Sequence, residues 1–550
     1  MLGWILTLLA LPQEPAPRPD VVLIMADDMG WSDIAPYGGE IRTPNLQRLA
    51  DGGLRFTHFY NTGRCCPTRA SLLTGLYPHQ AGVGHMIEDK GWDGYRGELG
   101  PDTVTIAEAL RGAGYATAMA GKWHVTRQIG HWTGDDHPHG KSNWPLQRGF
   151  DEFFGTIHGA GSYFAPSTLT RGNVPQTPPA AGEDFYYTDA IADTAAGFVR
   201  EHARTRADEP LFLYVAFTAP HWPLHARPED VARYAGRYDA GWEVLRRERL
   251  ARQVQLGLLP PDQELSPHPL DWKVAPYPEW QKRAMEVYAA MVDRMDQGIG
   301  RVIAALEETG RMDSTVIVFL ADNGGCAEGG TAFERELGPG SWLSQPKFTR
   351  DGRLVQHGRY DKVLPGPEDT YQEYGPPWAN ASNTPFRYYK HFVHEGGIAS
   401  PLIVHWPAGI AGRGALRADP AHLVDLLPTF LELSGGAYPK ERAGIAVRPL
   451  AGVSLVPVFR GEALPQRALF WEHEGNRAVR LGAMKAVARW RREGVDWELY
   501  DLARDRAELH DLATDRPEVL AALVAMWESW AERSGVRPWP VEPPPNASNR

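Results

Sequence analysis

Three short apolar runs constrain the fold of this chain more than any other feature. They are VVLIM at residues 21–25, PLFLYVAF at 210–217 and STVIVFL at 314–320, and each leads directly into polar residues: ADDMG, TAPHWP and ADNGG. Uninterrupted runs of this length, rich in apolar and β-branched residues, predict strands that are buried on both faces, as in a parallel sheet. Open α/β sheets carry their chemistry where such strands end, so these polar residues are candidates for a functional site.

Helical patterns alternate with the predicted strands. Residues 43–52 (TPNLQRLADG) have a Thr cap, a Pro at the first helical position and a Gly stop. Residues 105–114, 279–310 and 422–436 also have helical patterns. This alternation predicts an α/β fold with a large mixed, mostly parallel sheet sandwiched by helices.

The C-terminal part of the chain has a different pattern. Strand-like runs alternate with turns over residues 468–502, and a closing helix is predicted at 517–533. We therefore expect a catalytic domain at residues 19–462. A smaller C-terminal α+β subdomain, built on an antiparallel sheet, is expected at 463–550.

Residues 1–18 predict a signal peptide and spacer. The apolar run at 2–11 is too short to span a bilayer and fits the apolar region of a signal peptide, although a basic start and a clear cleavage site are missing. We expect an exported protein, periplasmic or secreted, with a cytoplasmic location as the alternative. The rest of the chain contains no apolar run that predicts a membrane span.

Charge and cysteine content exclude several classes of protein. The formal net charge is −11, which makes nucleic acid an unfavourable partner but leaves an anionic substrate open where basic residues cluster locally. The three cysteines, Cys65, Cys66 and Cys326, cannot form a disulfide framework. Cysteine and histidine also lack the repeated short spacings that are typical of zinc sites.

Two of these cysteines are adjacent, in GRCCPTRASLLTG at residues 63–75. Residues 68–74 predict a helix, with Pro67 at its first position and Gly75 as its stop. Cys65 and Cys66 are then expected at or just before a helix N-terminus, where the helix dipole lowers the pKa of a thiol.

The spacing Cys65-x-Pro67-x-Arg69, followed by LTG, resembles the signature of the type I sulfatases. These are the formylglycine-dependent, arylsulfatase-like members of the alkaline phosphatase superfamily. In that family the first Cys is oxidised to Cα-formylglycine by a formylglycine-generating enzyme or an anaerobic sulfatase-maturing enzyme. Only Cys65 has the required Pro two residues on, so Cys66 is expected to be a small buried neighbour.

Further segments resemble the family in the same order along nearly the whole chain. They are DDMGWSD (27–33), GKWH (121–124), APHWP (219–223), ADNG (321–324), NTPFRYYK (383–390) and LYDLARDRAELHDLA (499–513). The resemblance implies an alkaline phosphatase-like fold and hydrolysis of aryl or carbohydrate sulfate monoesters.

Asp27, Asp28, Asp322 and Asn323 offer only oxygen ligands, which suit Ca²⁺ or Mg²⁺ rather than zinc. The resemblance implies Ca²⁺, with an oxygen of the formylglycine at Cys65 as a further ligand.

The resemblance also implies a mechanism. The hydrated aldehyde at Cys65, a gem-diol, attacks sulfur, while His221 protonates the leaving alcohol or phenol. His124 then removes the proton of the second hydroxyl, which releases inorganic sulfate and restores the aldehyde.

Four more residues have expected roles in binding. Lys122 and Lys390 should hold the sulfate oxygens, and Arg69 should orient the diol and neutralise the acidic loops. His158 is a candidate substrate contact, although an ordinary loop histidine explains it equally well.

Two alternatives stay open at this point. A phosphate or phosphonate monoester hydrolase of the same superfamily would use the same groups, because the two kinds of ester have similar shapes. A non-catalytic protein that binds sulfated glycans would leave Cys65 unmodified.

Overall fold

The computed structural model describes residues 18–133, 140–328, 346–358, 362–410 and 412–544. The predicted signal peptide therefore lies outside the described residues, apart from Arg18. Strands in the described residues are, in chain order, β1 (Asp20–Ala26), β2 (Leu54–Tyr60), β3 (Ala116–Lys122), β4 (Glu152–Thr156), β5 (Leu169–Arg171), β6 (Val174–Pro175), β7 (Leu211–Ala216), β8 (Thr315–Ala321), β9 (Gln356–His357), β10 (Thr370–Tyr371), β11 (Ala399–His405), β12 (Ala415–Arg417), β13 (Ala421–His422), β14 (Glu441–Arg442), β15 (Ile445–Ala446), β16 (Ala468–His473), β17 (Asn476–Leu481), β18 (Met484–Arg491) and β19 (Gly494–Asp501).

Helices in the same residues are α1 (Pro44–Asp51), α2 (Cys65–Thr74), α3 (Pro78–Ala81), α4 (Ile106–Gly112), α5 (Gly130–Thr133), α6 (Tyr187–Thr205), α7 (Pro228–Val231), α8 (Trp242–Gln255), α9 (Pro278–Glu308), α10 (Gly375–Ser382), α11 (Glu395–Ile398), α12 (Leu426–Ser434), α13 (Val456–Phe459) and α14 (Pro517–Ser534).

The main sheet is mixed and mostly parallel, as predicted. Its strand order among the described residues is β12-β2-β11-β8-β1-β7-β3-β4-β5-β6, and β13 pairs with β2. The central strands β8, β1, β7, β3 and β4 are all parallel, whereas β11 runs antiparallel to both β2 and β8. The three apolar runs of the sequence form β1, β7 and β8, which lie side by side.

Strand β1 is buried on both faces because each face belongs to a different core. Val22 and Ile24 pack with residues of α6 and α9, while Val21, Leu23 and Met25 pack with residues of α2, α4 and α12. Side chains alternate between the two faces of a strand, so an uninterrupted apolar run is what a sheet between two helical layers requires.

The C-terminal strands β16 to β19 form a separate antiparallel sheet, which confirms the predicted α+β pattern. Helix α14 covers this sheet with Trp527 and Trp530, which pack near Val479 and Leu499. The boundary between residues 462 and 463 stays a prediction. In the part of the chain that the structure describes, no helix combines the length and apolarity needed to cross a membrane.

Buried charges connect the two sheets. Lys485 on β18 donates to Glu395 Oε1 at 3.0 Å and lies 2.8 Å from Glu508 Oε1, and all three side chains are inaccessible to solvent. Glu395 also accepts a hydrogen bond from Tyr60 on β2. The Lys485 ammonium therefore lies against both carboxylates at the boundary between the sheets, and Arg506 lies 3.4 Å from Glu395 Oε2 as a second cation.

Replacing Lys485 with Met should destabilise the protein by about 3–5 kcal/mol, because Glu508 stays buried without the ammonium it pairs with and Glu395 keeps only Arg506. The midpoint of urea unfolding measures the effect. Lys440→Met is the control, since Lys440 is exposed. A midpoint for Lys485→Met equal to that of the control would contradict this account of the boundary.

Candidate active site

The acidic loops predicted to bind metal lie side by side because of strand register. Ala26 pairs with Ala321 at the ends of β1 and β8, so Asp27 and Asp322 leave the sheet together. The amide of Asp28 donates to Asp322 Oδ1 at 3.1 Å, and Asn323 Nδ2 donates to Asp28 Oδ1 at 2.7 Å. All four side chains are buried. Their proximity follows from the parallel sheet, as the sequence predicts.

This group of oxygens fits a hard cation. Asp27 Oδ1 and Asn323 Oδ1 are buried and have no hydrogen-bond partner among the described residues. Buried polar atoms rarely stay without a partner, and carboxylate and amide oxygens are the ligands that Ca²⁺ and Mg²⁺ prefer. The four residues Asp27, Asp28, Asp322 and Asn323 can therefore hold such an ion.

Three basic residues neutralise these carboxylates. Lys122 at the end of β3 donates to Asp27 Oδ2 at 2.6 Å, and Lys390 lies 2.8 Å from Asp28 Oδ1. Arg69 on α2 donates to Asp322 Oδ2 at 3.1 Å and lies 3.5 Å from Asp27 Oδ2. Neither lysine is solvated at the surface, since both are at most 1% exposed.

Burial and these cations have opposite effects on the acids and bases of the site. Burial opposes ionisation of Asp27, but Lys122 and Arg69 outweigh it and hold the pKa of that carboxyl below its ordinary value. Burial, together with the neighbouring Asp27, raises the pKa of Asp322 well above its ordinary value. Burial alone would lower the pKa of Lys122, yet Asp27 and Cys65 raise it, so this side chain stays charged.

Helix α2 places Cys65 beside these acidic and basic residues, but the helix begins earlier than predicted. It starts at Cys65 rather than near Pro67, after an extended Arg64, and it ends at Thr74, before Gly75 with a φ of 66°. Pro67 fits within the first turn because the first amides of a helix have no intrahelical acceptor. The expectation that Cys65 lies at a helix N-terminus is met at the first residue of α2.

The environment of Cys65 favours its ionised form. A hydrogen bond from Cys66 lowers the pKa of the Cys65 thiol well below its ordinary value, and Lys122 and His124 add to this effect against burial. The side chain is 2% exposed. Cys66 is buried too, as predicted, and its Sγ lies 3.4 Å from His124 Nε2, a contact that the sequence did not indicate.

The three predicted histidines lie on two sides of the site: His124 and His158 are near the cysteines, and His221 is near Asp28. Burial and the nearby Lys122 lower the pKa of His124 to about 4, and its Nδ1 has no partner among the described residues. His158 stacks at a tilt, with its ring 5.6 Å from that of His124. His221 lies by Asp28, with Nε2 3.2 Å from Oδ2, and burial lowers its pKa.

Sequence reasoning missed two further residues at the site. Glu328 lies 3.8 Å from Lys390 Nζ, and it accepts hydrogen bonds from Arg64 at 2.7 Å and from the Trp222 indole at 3.0 Å. Arg64 directly precedes Cys65. Two sequence signals could have found them: Arg64 is adjacent to the Cys65 motif, and Glu328 stands at the start of a long insertion.

Comparison with protein families agrees with this geometry. A model described as Sulfatase matches residues 19–436, and one described as N-sulphoglucosamine sulphohydrolase, C-terminal, matches residues 386–531. The chain belongs to the sulfatase family. It is thus a sulfuric ester hydrolase, and its fold is that of the sulfatases and of alkaline phosphatase, as the resemblance implied.

Similar proteins cover most of this sulfatase. An uncharacterized sulfatase of Schizosaccharomyces pombe is 36% identical over 559 residues, covering 95% of each chain. An arylsulfatase of Klebsiella aerogenes is 36% identical over 471 residues, which is 82% of this chain and 94% of that protein. The solved phosphonate monoester hydrolase of Agrobacterium radiobacter has a TM-score of 0.56 at 21% identity, over 94% of this chain and 96% of the other, and shares the fold.

Arg69 should be essential for stability when no cation is bound. Arg69→Met leaves Asp27 and Asp322 buried without their guanidinium, so we expect a loss of about 3–5 kcal/mol in EDTA. Adding Asp322→Asn should recover part of it. Urea unfolding measures both variants.

The matched control is Arg55→Met, because Arg55 is also buried but donates only to the carbonyl oxygen of Pro36 among the described contacts. If Arg69→Met and Arg55→Met cost the same, the carboxylates do not depend on Arg69.

Proposed function

We propose that this sulfatase hydrolyses aryl sulfate monoesters to a phenol and inorganic sulfate, with formylglycine derived from Cys65 as nucleophile. The observation that carries the proposal is the position of Cys65 at the first residue of α2, where it interacts with His124, Lys122 and Asp27. A nucleophile, a base and anion-binding cations thus meet at one point, as the hydrolysis of a sulfate ester requires.

Two groups have to be added to the chain for this reaction. Asp27, Asp28, Asp322 and Asn323 would hold Ca²⁺, or Mg²⁺ as the alternative, and a formylglycine-generating or anaerobic sulfatase-maturing enzyme would convert Cys65. When present, the cation and the aldehyde supply a Lewis acid and a hydratable carbonyl. The residues around them bind substrate and move protons.

The two histidines suit opposite proton transfers. His124 Nε2 faces the two cysteines, and a pKa of about 4 keeps the ring neutral and ready to accept a proton from the group at position 65. His221 lies on the side of Asp28, where its Nε2 can donate to the leaving oxygen. Asp28 stabilises the protonated ring, because it opposes the effect of burial on the pKa of His221.

Lys122 and Lys390 would bind the sulfate oxygens. Nearby carboxylates raise the pKa of each lysine despite burial, so both are charged throughout the working pH range. Arg69 would hold the acidic loops in register and orient the hydrated group at position 65.

An aryl ester is the substrate class that we favour. The arylsulfatase of K. aerogenes, at 36% identity, supports this choice. Trp222 also supports it, because its ring lies 4.5 Å from the ring of His221 and can contact an aromatic leaving group. Carbohydrate sulfates are the second candidate, and His158 would then contact the sugar. Export to the periplasm or beyond the cell remains part of the proposal.

Turnover of matched aryl esters tests the reaction class. The matured enzyme with Ca²⁺ should have a kcat/KM for 4-nitrophenyl sulfate that exceeds that for 4-nitrophenyl phosphate and for a phenyl phosphonate ester. A preference for either phosphorus ester would favour the phosphonate or phosphate monoester hydrolase instead.

Two cysteine variants serve as a matched pair. Cys65→Ala should abolish turnover, and Cys66→Ala should keep most of it, because only Cys65 supplies the nucleophile. An inactive parent that still binds sulfated glycans would support the non-catalytic alternative. Equal loss of turnover in both variants would contradict the choice of Cys65.

A further inference from the structure

Three histidines from distant parts of the chain meet around Glu474, outside the group of oxygen ligands. His85 Nε2 lies 3.0 Å from Glu474 Oε1, His391 Nδ1 lies 3.2 Å from Oε2, and His473 Nε2 lies 3.6 Å from Oε1. Ligand atoms of His391, His473 and Glu474 are all within 4.8 Å of one another. In a tetrahedral zinc site with bonds of about 2.0–2.1 Å, neighbouring ligand atoms lie about 3.3 Å apart. The distances from the histidine nitrogens to the Glu474 carboxylate, 3.0, 3.2 and 3.6 Å, are close to that spacing.

Hydrogen bonding alone does not account for this cluster. His473 is inaccessible to solvent, and neither of its ring nitrogens has a hydrogen-bond partner among the described residues. Leaving a buried polar atom without a partner is energetically unfavourable. A cation held between His473 and Glu474 would satisfy the nitrogen that faces the carboxylate.

The position of Glu474 in the chain also points to a ligand. Glu474 and Gly475 form the two-residue turn between β16 and β17, with φ values of 50° and 78°. Such turns favour Asn, Asp or Gly at the first position, because positive φ is unfavourable for other side chains. Turn formation therefore does not explain a glutamate here, whereas a need for its carboxylate does.

The surroundings of His391 resemble those of a metal ligand. Its Nδ1 lies 3.2 Å from Glu474 Oε2 and 3.1 Å from Arg64 Nη1, and its Nε2 lies 3.1 Å from Glu328 Oε1. A histidine that binds a metal commonly donates its other ring N–H to a carboxylate, which fixes the orientation of the ring. Arg64 contacts both ring nitrogens of His391 and forms an ion pair with Glu328 at 2.7 Å. The charge of Arg64 is thus balanced within the cluster.

We propose that His391, His473 and Glu474 bind one zinc ion, with His85 as the outer partner that holds Glu474. Two imidazoles and one carboxylate are a ligand set that suits zinc, and water would take the fourth position. The ion and the contact of His85 with Glu474 would join three segments: the loop after α3, the loop that carries Lys390, and the hairpin of the C-terminal sheet. Under the proposed function, the zinc ion would hold the loop of Lys390 beside the substrate.

Calorimetric titration with ZnCl₂ tests the site in the matured, full-length protein kept in excess Ca²⁺. We expect one zinc ion per chain. His85→Gln and His391→Gln should each weaken binding by more than about tenfold, the usual effect of losing even an outer partner of a ligand. Zinc should raise the melting temperature of the parent but not of these variants.

His510→Gln is the matched control, because His510 also pairs with a glutamate, Glu264 at 2.7 Å, on the exposed surface. It should bind zinc as the parent does. No zinc binding by the parent, or unchanged binding in both His85→Gln and His391→Gln, would overturn the proposal. Zinc that is retained in those variants but lost in Cys66→Ala would also overturn it, by assigning the ion to the cysteines near His124.

Discussion

The structure depends on three carboxylates that a parallel sheet forces into one buried place. The register of β1 and β8 puts Asp27, Asp28 and Asp322 together, away from water. Burial and the neighbouring Asp27 raise the pKa of Asp322 well above its ordinary value, so ionising all three acids would be prohibitive without compensation. The chain supplies it with Arg69, Lys122 and Lys390, which come from a helix, a neighbouring strand and a distant loop.

This compensation also builds the catalytic geometry. Arg69 reaches Asp322 from α2, so the helix that neutralises the acids is the one that begins with Cys65. Lys122 contacts Asp27 and lowers the pKa of Cys65 at the same time. Because the same cations serve both the acidic loops and position 65, the two parts of the site cannot be altered independently.

Sequence predicted the parts of the site that follow from local pattern. An apolar run followed by DD or DN places carboxylates at the end of a buried strand, and parallel pairing then brings them together. The predicted start of α2 was wrong by two residues. The helix follows an extended Arg64, and the partners of Arg64, Glu328 and His391, come from distant parts of the chain rather than from a local signal. The contact of Cys66 with His124 likewise needs the fold.

The histidine cluster around Glu474 shows the same limit. Its members are separated by up to several hundred residues in the chain, so no short spacing predicts zinc. Tertiary packing of the C-terminal sheet against the loop of Lys390 brings them together. The predicted boundary between residues 462 and 463 also has no clear mark in the sequence. In the structure, Lys485 and Glu395 join the two sheets across buried surface.

The mass of the peptide CCPTR, which trypsin releases at residues 65–69, tests the central claim most directly. The protein should be produced together with a formylglycine-generating enzyme, and fragmentation should assign the modified position. We predict the mass change for replacing –CH₂SH by –CHO at Cys65, with Cys66 still a thiol. An active sulfatase in which Cys65 is unmodified, or one with the aldehyde at Cys66, would contradict the account.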